Sequence, residues 1–351
     1  MIKILHLLNT SQFSGAENVV CQIINMFKED HNYEMFYCSL DGQIRTVLNG
    51  QEISFVPIKN MCRRELKRVI NDIRPTLIHA HDRTASFMAS KVCERIPLIV
   101  HMHVNNTEGF VAFVKNVIWS FSSKKYKHIF WVSKSAYDCF PFKKKLKMKS
   151  SILYNMVDSV SVLKKSQQFN TDEYDLCYVG RLVYQKNPQR LMAICLSAIK
   201  NNPKLRVAII GSGTYSSYVE DFIKANNLNH NIDYLGFKDN PLPYIKKAKA
   251  IILTSRFEGT PMVALEAMCL GVPVVSTRVD GLSDVIIDGN NGFLCDSDED
   301  FLDRIDKITR GTNSQMKQNC IEWASINCNI NNYKSTIEKC YFDFSNKEVQ
   351  Q

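Results

Sequence analysis

The twelve cysteines, scattered from Cys21 to Cys340, include no Cys-x-x-Cys pair and no clustered spacing. Neither a zinc-ribbon type of site nor a disulfide framework is expected from them. A secretion signal is not expected either. The start MIKILHLLNTSQFSG has one lysine and an apolar run that stops before Asn9, which reads as a first strand running into a glycine turn. No stretch reaches the roughly 18 uninterrupted apolar residues of a bilayer-spanning helix. Reduced thiols in a cytoplasmic protein are the expected setting. Arginine is absent from one long stretch: residues 110–151 hold ten lysines, no arginine and the single acid Asp138. That stretch carries the whole net charge of +9, while the rest of the chain balances at 34 basic and 34 acidic residues.

Charge placed so locally argues for one basic face rather than a general nucleic-acid binder, and no nucleic-acid motif accompanies it. The stretch contains GFVAFVKNVIWSF, SSKKYKHIF and FPFKKKLKMKS, with Phe110, Phe113, Trp119, Phe121, Phe140 and Phe142 among the lysines. Two readings stand side by side. One is an amphipathic helix packed on its own domain with solvated lysines; the other is peripheral binding to an anionic membrane surface.

At 351 residues, 45% hydrophobic and 23% charged, the chain is of ordinary globular composition and long enough for two cores. Apolar runs at 2–8, 34–39, 76–80, 98–102, 128–132 and 151–154 read as strands, with helical periodicity in AENVVCQIINMFK and ELKRVINDI between them. The second half repeats the alternation with strands DLCYVG, LRVAIIG, IDYLGF, AIILTS and PVVST, and with helices beginning near Pro188, Tyr215, Pro241 and Pro261. Helical patterns at 299–309, 314–325 and 333–344 close the chain. Alternation of this kind predicts parallel α/β sheets. The polar stretch 164–175 reads as a linker between an N-terminal domain over 1–163 and a C-terminal domain over 176–328, with a last helix in 329–351 returning to the N-terminal domain. Ligands of doubly wound sheets bind at the carboxyl ends of strands, so the chemistry is expected in the loops that follow them.

The most informative segment is SRFEGTPMVALEAMCLGVPVVST, residues 255–277. Thr260 is placed to cap a helix with Pro261 in its first turn, and Gly271 and Pro273 stop it. Within that helix, apolar residues surround one polar side chain, Glu266, so the helix reads as buried and the carboxylate needs a partner. A buried arginine or backbone amides would serve, and so would a pair of ligand hydroxyls such as those of a ribose. Six residues separate Thr260 from Glu266, roughly 9 Å at about 1.5 Å per residue, which would let the helix start hold phosphate while Glu266 reaches the ribose. Glu258 lies just ahead of the same turn.

With Glu258 and Glu266 seven residues apart, EGTPMVALEAMCLGVPVV resembles the EX7E motif of retaining glycosyltransferases of family four, which adopt the GT-B fold. The resemblance implies two Rossmann-like doubly wound domains facing a central cleft, with the donor held mainly by the C-terminal one and the acceptor by the N-terminal one. It implies a nucleotide-sugar donor, with a UDP-sugar expected, and a glycan or lipid-linked glycan acceptor for capsule or exopolysaccharide. In YVGRLVYQKNPQRL, Arg181 and Lys186 fall where the family meets the diphosphate; as isolated residues they would read as solvated cations. Glu258 would hold hydroxyls of the donor sugar and Glu266 the ribose, with Gly259, Thr260 and Pro261 forming the helix start between them. Gly211 and Gly213 resemble the family's second strand turn, although a dinucleotide fingerprint would need a third glycine. Gly236 and Phe237 fall where a turn meets the nucleotide base. Asp280, Gly281 and Leu282 approximate a glycine-rich turn, with Asp280 where the family has glycine. In SGAENVV, Ser14 departs from the family's double glycine and leaves Gly15 to approach phosphate or acceptor.

Histidines come in pairs at strand ends, His79 with His81 and His101 with His103. His103 resembles the active-site histidine near the reacting sugar, with His101 as the fallback. No acidic cluster accompanies them and the family needs no metal, so neither metal nor other cofactor is expected. Two other classes stay open: a sugar-nucleotide epimerase of related fold, and a non-catalytic nucleotide-binding relative.

Overall fold

Wholly buried stretches such as Leu77–Ala80 and Leu98–Met102 suit central parallel strands, which are covered on both faces and lack the alternation of half-exposed ones. The computed structural model describes residues 1–103, 110–279, 281–311 and 313–345, apart from the side chains of 110–112. The described chain divides into two units. The first holds β1 (Ile2–Leu7), β2 (Tyr33–Leu40), β3 (Phe55–Ile58), β4 (Leu77–Ala80), β5 (Leu98–Met102), β6 (Tyr126–Trp131) and β7 (Ser150–Ile152). They form one parallel sheet in the order β3-β2-β1-β4-β5-β6-β7. The second holds β8 (Tyr174–Val179), β9 (Val207–Ile210), β10 (Ile232–Gly236), β11 (Ala248–Leu253), β12 (Val274–Thr277) and β13 (Gly292–Cys295). These run parallel in the order β10-β9-β8-β11-β12-β13.

In each sheet the strand order reverses once, between β1 and β4 in the first unit and between β8 and β11 in the second. Loops leaving the two strands at such a point diverge, and the crevice between them is where open α/β sheets take ligands. The cores lie on both sides of each sheet. Leu5, Ile78, Val100, Trp119 and Trp131 belong to the first, and Leu176, Tyr178, Ile209, Phe293 and Phe301 to the second.

The expected strands and helices recur close to their predicted bounds, but β3 and β13 were not anticipated. Both are four-residue strands at the edge of their sheet, and β3 contains Pro57, which an edge strand tolerates because one side needs no ladder donor. The division between units also differs from the expected linker at 164–175. The second unit starts at Met156, and the helix Ser159–Lys165, capped by the Asp158 side chain, belongs to it. Asn240 Nδ2 donates to Lys165 O at 2.9 Å and to Gln168 Oε1 at 2.8 Å, so the polar stretch is tied down within the second unit. The passage at Asn155 and Met156 is itself buried and carries no polar signature. The helix Ile330–Ser345 belongs to the first unit. Among the described residues, no helix is long and apolar enough to cross a membrane.

Candidate functional site

At the reversal point of the second unit, the loop after β8 is clamped to the loop after β11. Arg256 N donates to Gln185 O at 2.8 Å, Gln185 Nε2 donates to Phe257 O at 3.1 Å, and Thr254 Oγ1 donates to Lys186 O at 3.1 Å. The Arg256 guanidinium reaches Asn187 Oδ1 at 2.9 Å and lies over the Tyr184 ring. The clamp brings Lys186 Nζ onto Glu258 Oε1, which Ser255 Oγ also contacts at 2.5 Å. Lys186 and Glu258 are 14% and 5% exposed, so this is a buried pair rather than two solvated charges. Arg181 differs. Its guanidinium is exposed and makes no ion pair or side-chain hydrogen bond among the described residues, while its carbonyl accepts from Tyr178 Oη at 3.1 Å. Of the two expected diphosphate cations, then, one is unengaged and the other already holds a carboxylate. Ser255, Gln185, Asn187 and Arg256 were not singled out from sequence; their roles come from the meeting of two loops about 70 residues apart in the chain.

The glycines of the strand ends have a structural reason first. Gly211 sits at φ +135°, where L side chains are strained, and a Cβ there would collide with Gly180 O. One at Gly213 would collide with Leu182 O. Two turns pack backbone to backbone here, joined by Gly180 N to Ile210 O at 3.0 Å and Leu182 N to Ser212 O at 2.9 Å. The Gly-x-Gly pattern thus shapes the loop that carries Arg181. Gly236, at φ +65°, has open space around it and is followed by Phe237, which is 67% exposed. Gly281 leaves room for the Gly259 carbonyl, which fixes the path of the Glu258 turn; Asp280 lies outside the described residues.

The helix after that turn spans Met262–Cys269, so Pro261, which has no side-chain donor or acceptor, occupies the capping position and Thr260 precedes it. The capping position is thus one residue later than expected, and Thr260 is buried in the turn beside the equally buried Gly259. At the other end Gly271 takes φ +68°, with its N–H on Met268 O and that of Val272 on Ala267 O, the two bonds of a Schellman stop. Every residue of the helix is buried except Glu266, which keeps part of its surface open. Although open by area, its carboxyl lies in dense apolar surroundings. Burial lifts its pKa from 4.5 to about 7, with Lys165 pulling weakly the other way. No donor reaches this carboxylate among the described residues. The partner demanded by the sequence is therefore supplied neither by a buried arginine nor by backbone amides.

In the first unit, the helix Gly15–Met26 starts beside β1 with Gly15 exposed, and Ser14 Oγ donates to the buried Glu17 carboxylate at 2.5 Å. Asp82, after β4, accepts from Asn9 N at 2.6 Å and caps the helix Arg83–Ser90 through Ala85 N at 2.7 Å, binding the two diverging loops together. His79, His81, His101 and His103 share one face of the sheet, as alternate strand residues must, and His6 from β1 joins them. His103 Nε2 meets His81 Nδ1 at 3.1 Å, and His81 Nε2 meets His6 Nδ1 at 2.9 Å. Burial holds His103 and His6 down to about 3, so these imidazoles are neutral at physiological pH. A neutral His103 can donate or accept a hydrogen bond without bringing a charge. His101 is fully buried, with both ring nitrogens unpartnered among the described residues.

The basic stretch also resolves. Trp119 and Phe140 are core residues, with Trp119 Nε1 donating to Ser86 Oγ at 2.8 Å, so neither contributes to a surface. The helix Phe110–Ser122 instead turns Phe113, Val114, Ile118 and Phe121 outward, and Lys145 Nζ lies over the Phe121 ring.

Two parallel α/β units, each with a loop junction at its reversal point, give this chain the GT-B fold. A solved structure of the Anabaena protein HepE in complex with UDP-glucose matches it with a TM-score of 0.84 at 18% identity, covering 98% of this chain and 100% of that one. Residues 160–324 match the family described as Glycosyl transferases group 1. An uncharacterized glycosyltransferase of Methanocaldococcus jannaschii is 35% identical over 154 residues, which is 43% of this chain; the chain spans 40% of that relative's length. A Campylobacter jejuni protein named GalNAc-α-(1→4)-GalNAc-α-(1→3)-diNAcBac-PP-undecaprenol α-1,4-N-acetyl-D-galactosaminyltransferase is 23% identical over 86% of both chains.

Proposed function

We propose that this chain is a retaining hexosyltransferase that moves a sugar from a nucleoside-diphosphate sugar, a UDP-sugar, to a glycan or lipid-linked glycan acceptor in polysaccharide or capsule synthesis. The observation that carries the proposal is the junction after β8 and β11, where the exposed Arg181 and the buried Lys186–Glu258 pair stand at one reversal point, followed by a helix whose Glu266 carboxylate meets no donor among the described residues. Arg181 and Lys186 meet the diphosphate, and the Gly259–Pro261 turn offers it the start of the following helix. Charge developing on the leaving diphosphate is then met by fixed cations, which is where the largest stabilisation of such a transition state arises. Glu258 holds sugar hydroxyls, Glu266 accepts from the ribose, and Gly211, Gly213, Gly236 and Phe237 shape the nucleotide's surroundings. Gly15 is assigned to the donor phosphate or the acceptor, and neutral His103 to the reacting sugar. No metal or other cofactor is assigned a step. The names of the Campylobacter and Anabaena proteins, with a lipid-linked acceptor and a bound UDP-glucose, support the choice of substrate classes.

Mass spectrometry and NMR of products from UDP- and GDP-sugars, with and without undecaprenyl-linked acceptors, test this reading. The expected outcome is free UDP and a glycosylated acceptor with the donor's anomeric configuration kept. An altered sugar nucleotide formed without acceptor would instead make the chain an epimerase. The setting we propose is cytoplasmic, at the inner face of a membrane; all twelve cysteines are free thiols, and the outward apolar side chains of the helix Phe110–Ser122, with the lysines that follow it, suit an anionic lipid surface.

A further inference from the structure

The transfer reaction uses at most one of the five imidazoles on the first unit's sheet, and an array of buried histidines needs another explanation. Five ring nitrogens of the cluster have no hydrogen-bond partner among the described residues: His6 Nε2, His79 Nε2, both of His101, and His103 Nδ1. Unsatisfied buried polar atoms are costly, and His79 Nε2 is one that an ion shared with His6 Nδ1 and His81 Nε2 would engage. Three of the histidines form a compact set. β1 and β4 pair His6 directly with His79, and one nitrogen from each of His6, His79 and His81 lies within 4.8 Å of the others. His6 Nδ1 and His81 Nε2 face each other at 2.9 Å. That separation suits one hydrogen bond, and it is also close to the edge of roughly 3.4 Å between two nitrogens that share a tetrahedral ion at about 2.1 Å. Two of the three outer nitrogens are held as ligands require. His79 Nδ1 is bonded to Tyr341 Oη at 2.8 Å, leaving Nε2 for an ion, and His81 Nδ1 is bonded to His103 at 3.1 Å. Such partners fix the tautomer and the ring orientation of a coordinating histidine.

We propose that His6, His79 and His81 form a structural site in the first unit for one divalent transition-metal ion of the zinc class. Three imidazoles with no carboxylate select zinc, cobalt, nickel or copper over magnesium or calcium. The ion would tie β1 to β4 beneath the helix Ile330–Ser345, which brings Tyr341. This inference does not depend on the transferase reading.

Cobalt(II) is the probe, added during refolding of the metal-stripped full chain. About one ion per chain should bind and show the visible bands of a tetrahedral imidazole site, and zinc should raise the melting temperature. His79→Gln should abolish the bands while keeping the far-ultraviolet circular dichroism, and His101→Gln should keep them. No bound ion by elemental analysis and no shift with zinc would overturn the proposal. Loss of the bands in His101→Gln but not in His79→Gln would overturn this assignment by placing the ion at His81, His101 and His103. If His79→Gln does not fold, the wild-type cobalt spectrum and the zinc shift decide the matter between them.

Discussion

Arg181 and Lys186 looked alike in the sequence, as two cations five residues apart after a strand, yet their side chains stand in opposite situations. Arg181→Ala removes an exposed guanidinium that has no partner among the described residues. Calorimetry should show nucleoside diphosphate bound about 10- to 100-fold more weakly, the loss expected for a charge-assisted hydrogen bond, with the melting temperature unchanged. Lys186→Ala should weaken binding too, but it also removes the cation of a buried ion pair, so thermal unfolding should reveal a stability loss that Arg181→Ala does not show. If neither variant changes affinity, the two residues do not form a diphosphate site. Glu266 carries a pH signature. Its folded pKa is raised from 4.5 to about 7 by burial, so the folded state holds this proton more tightly than the unfolded one. The stability it contributes is present below about pH 4.5 and is lost as pH rises through about 7. The ionised form accepts both ribose hydroxyls, so UDP affinity should climb over the same interval. Glu266→Gln should weaken binding above pH 7 and flatten both dependences, read by calorimetry and by melting temperature against pH. A pH profile identical to wild type would remove Glu266 from the ribose.

Turns and edges show how far pattern alone reaches. The reversal-point loops were legible because glycine, proline and the two glutamates stand at spacings that only a strand-turn-helix accommodates. The Lys186–Glu258 pair was not, since it depends on two loops being clamped by Arg256 and Gln185. His6 was invisible for a related reason: a single histidine inside an apolar strand acquires meaning only once β1 pairs with β4. The short edge strands β3 and β13 carry too few residues for a period to register, and the passage at Asn155 and Met156 hides because it is buried. Two glycines separate shape from ligand approach. Gly211→Ala adds a Cβ onto a neighbouring carbonyl at φ +135° and should cost more than about 2 kcal/mol in denaturant unfolding, with the Arg181 loop displaced. Gly236→Ala meets open space at φ +65°, so only the backbone preference is lost, about 1 kcal/mol. Equal costs at the two sites would mean that the packing of the β8 and β9 turns is not what requires glycine at 211.

Across the whole molecule, the one asymmetry of charge is the stretch 110–151, which holds the entire net +9. Its lysines are not equivalent. Lys143 Nζ is paired with Asp138 at 2.8 Å, and Lys149 is turned inward onto the Ser123 carbonyl, so neither is free for lipid. Lys144, Lys145 and Lys147 are exposed, Lys145 Nζ lies over the Phe121 ring, and Met148 is 97% exposed. Each lysine near an anionic surface contributes about 1 kcal/mol, and that attraction decays within a Debye length of roughly 8 Å at physiological salt. Three such charges alone give weak, salt-sensitive binding, so the apolar side chains have to enter the interface for attachment to persist. Sedimentation with anionic liposomes should therefore fall with rising salt without vanishing. Replacing Lys144, Lys145 and Lys147 with glutamate should abolish it, and so should Phe121→Ser combined with Ile118→Ser at physiological salt. Both variants should keep wild-type turnover on a short soluble acceptor, because none of these side chains belongs to the second unit or is assigned to donor or acceptor. A wild-type chain that ignores anionic liposomes even at low salt would leave the lysines as a solvated face, and a lipid-linked acceptor would then have to reach the enzyme without its help.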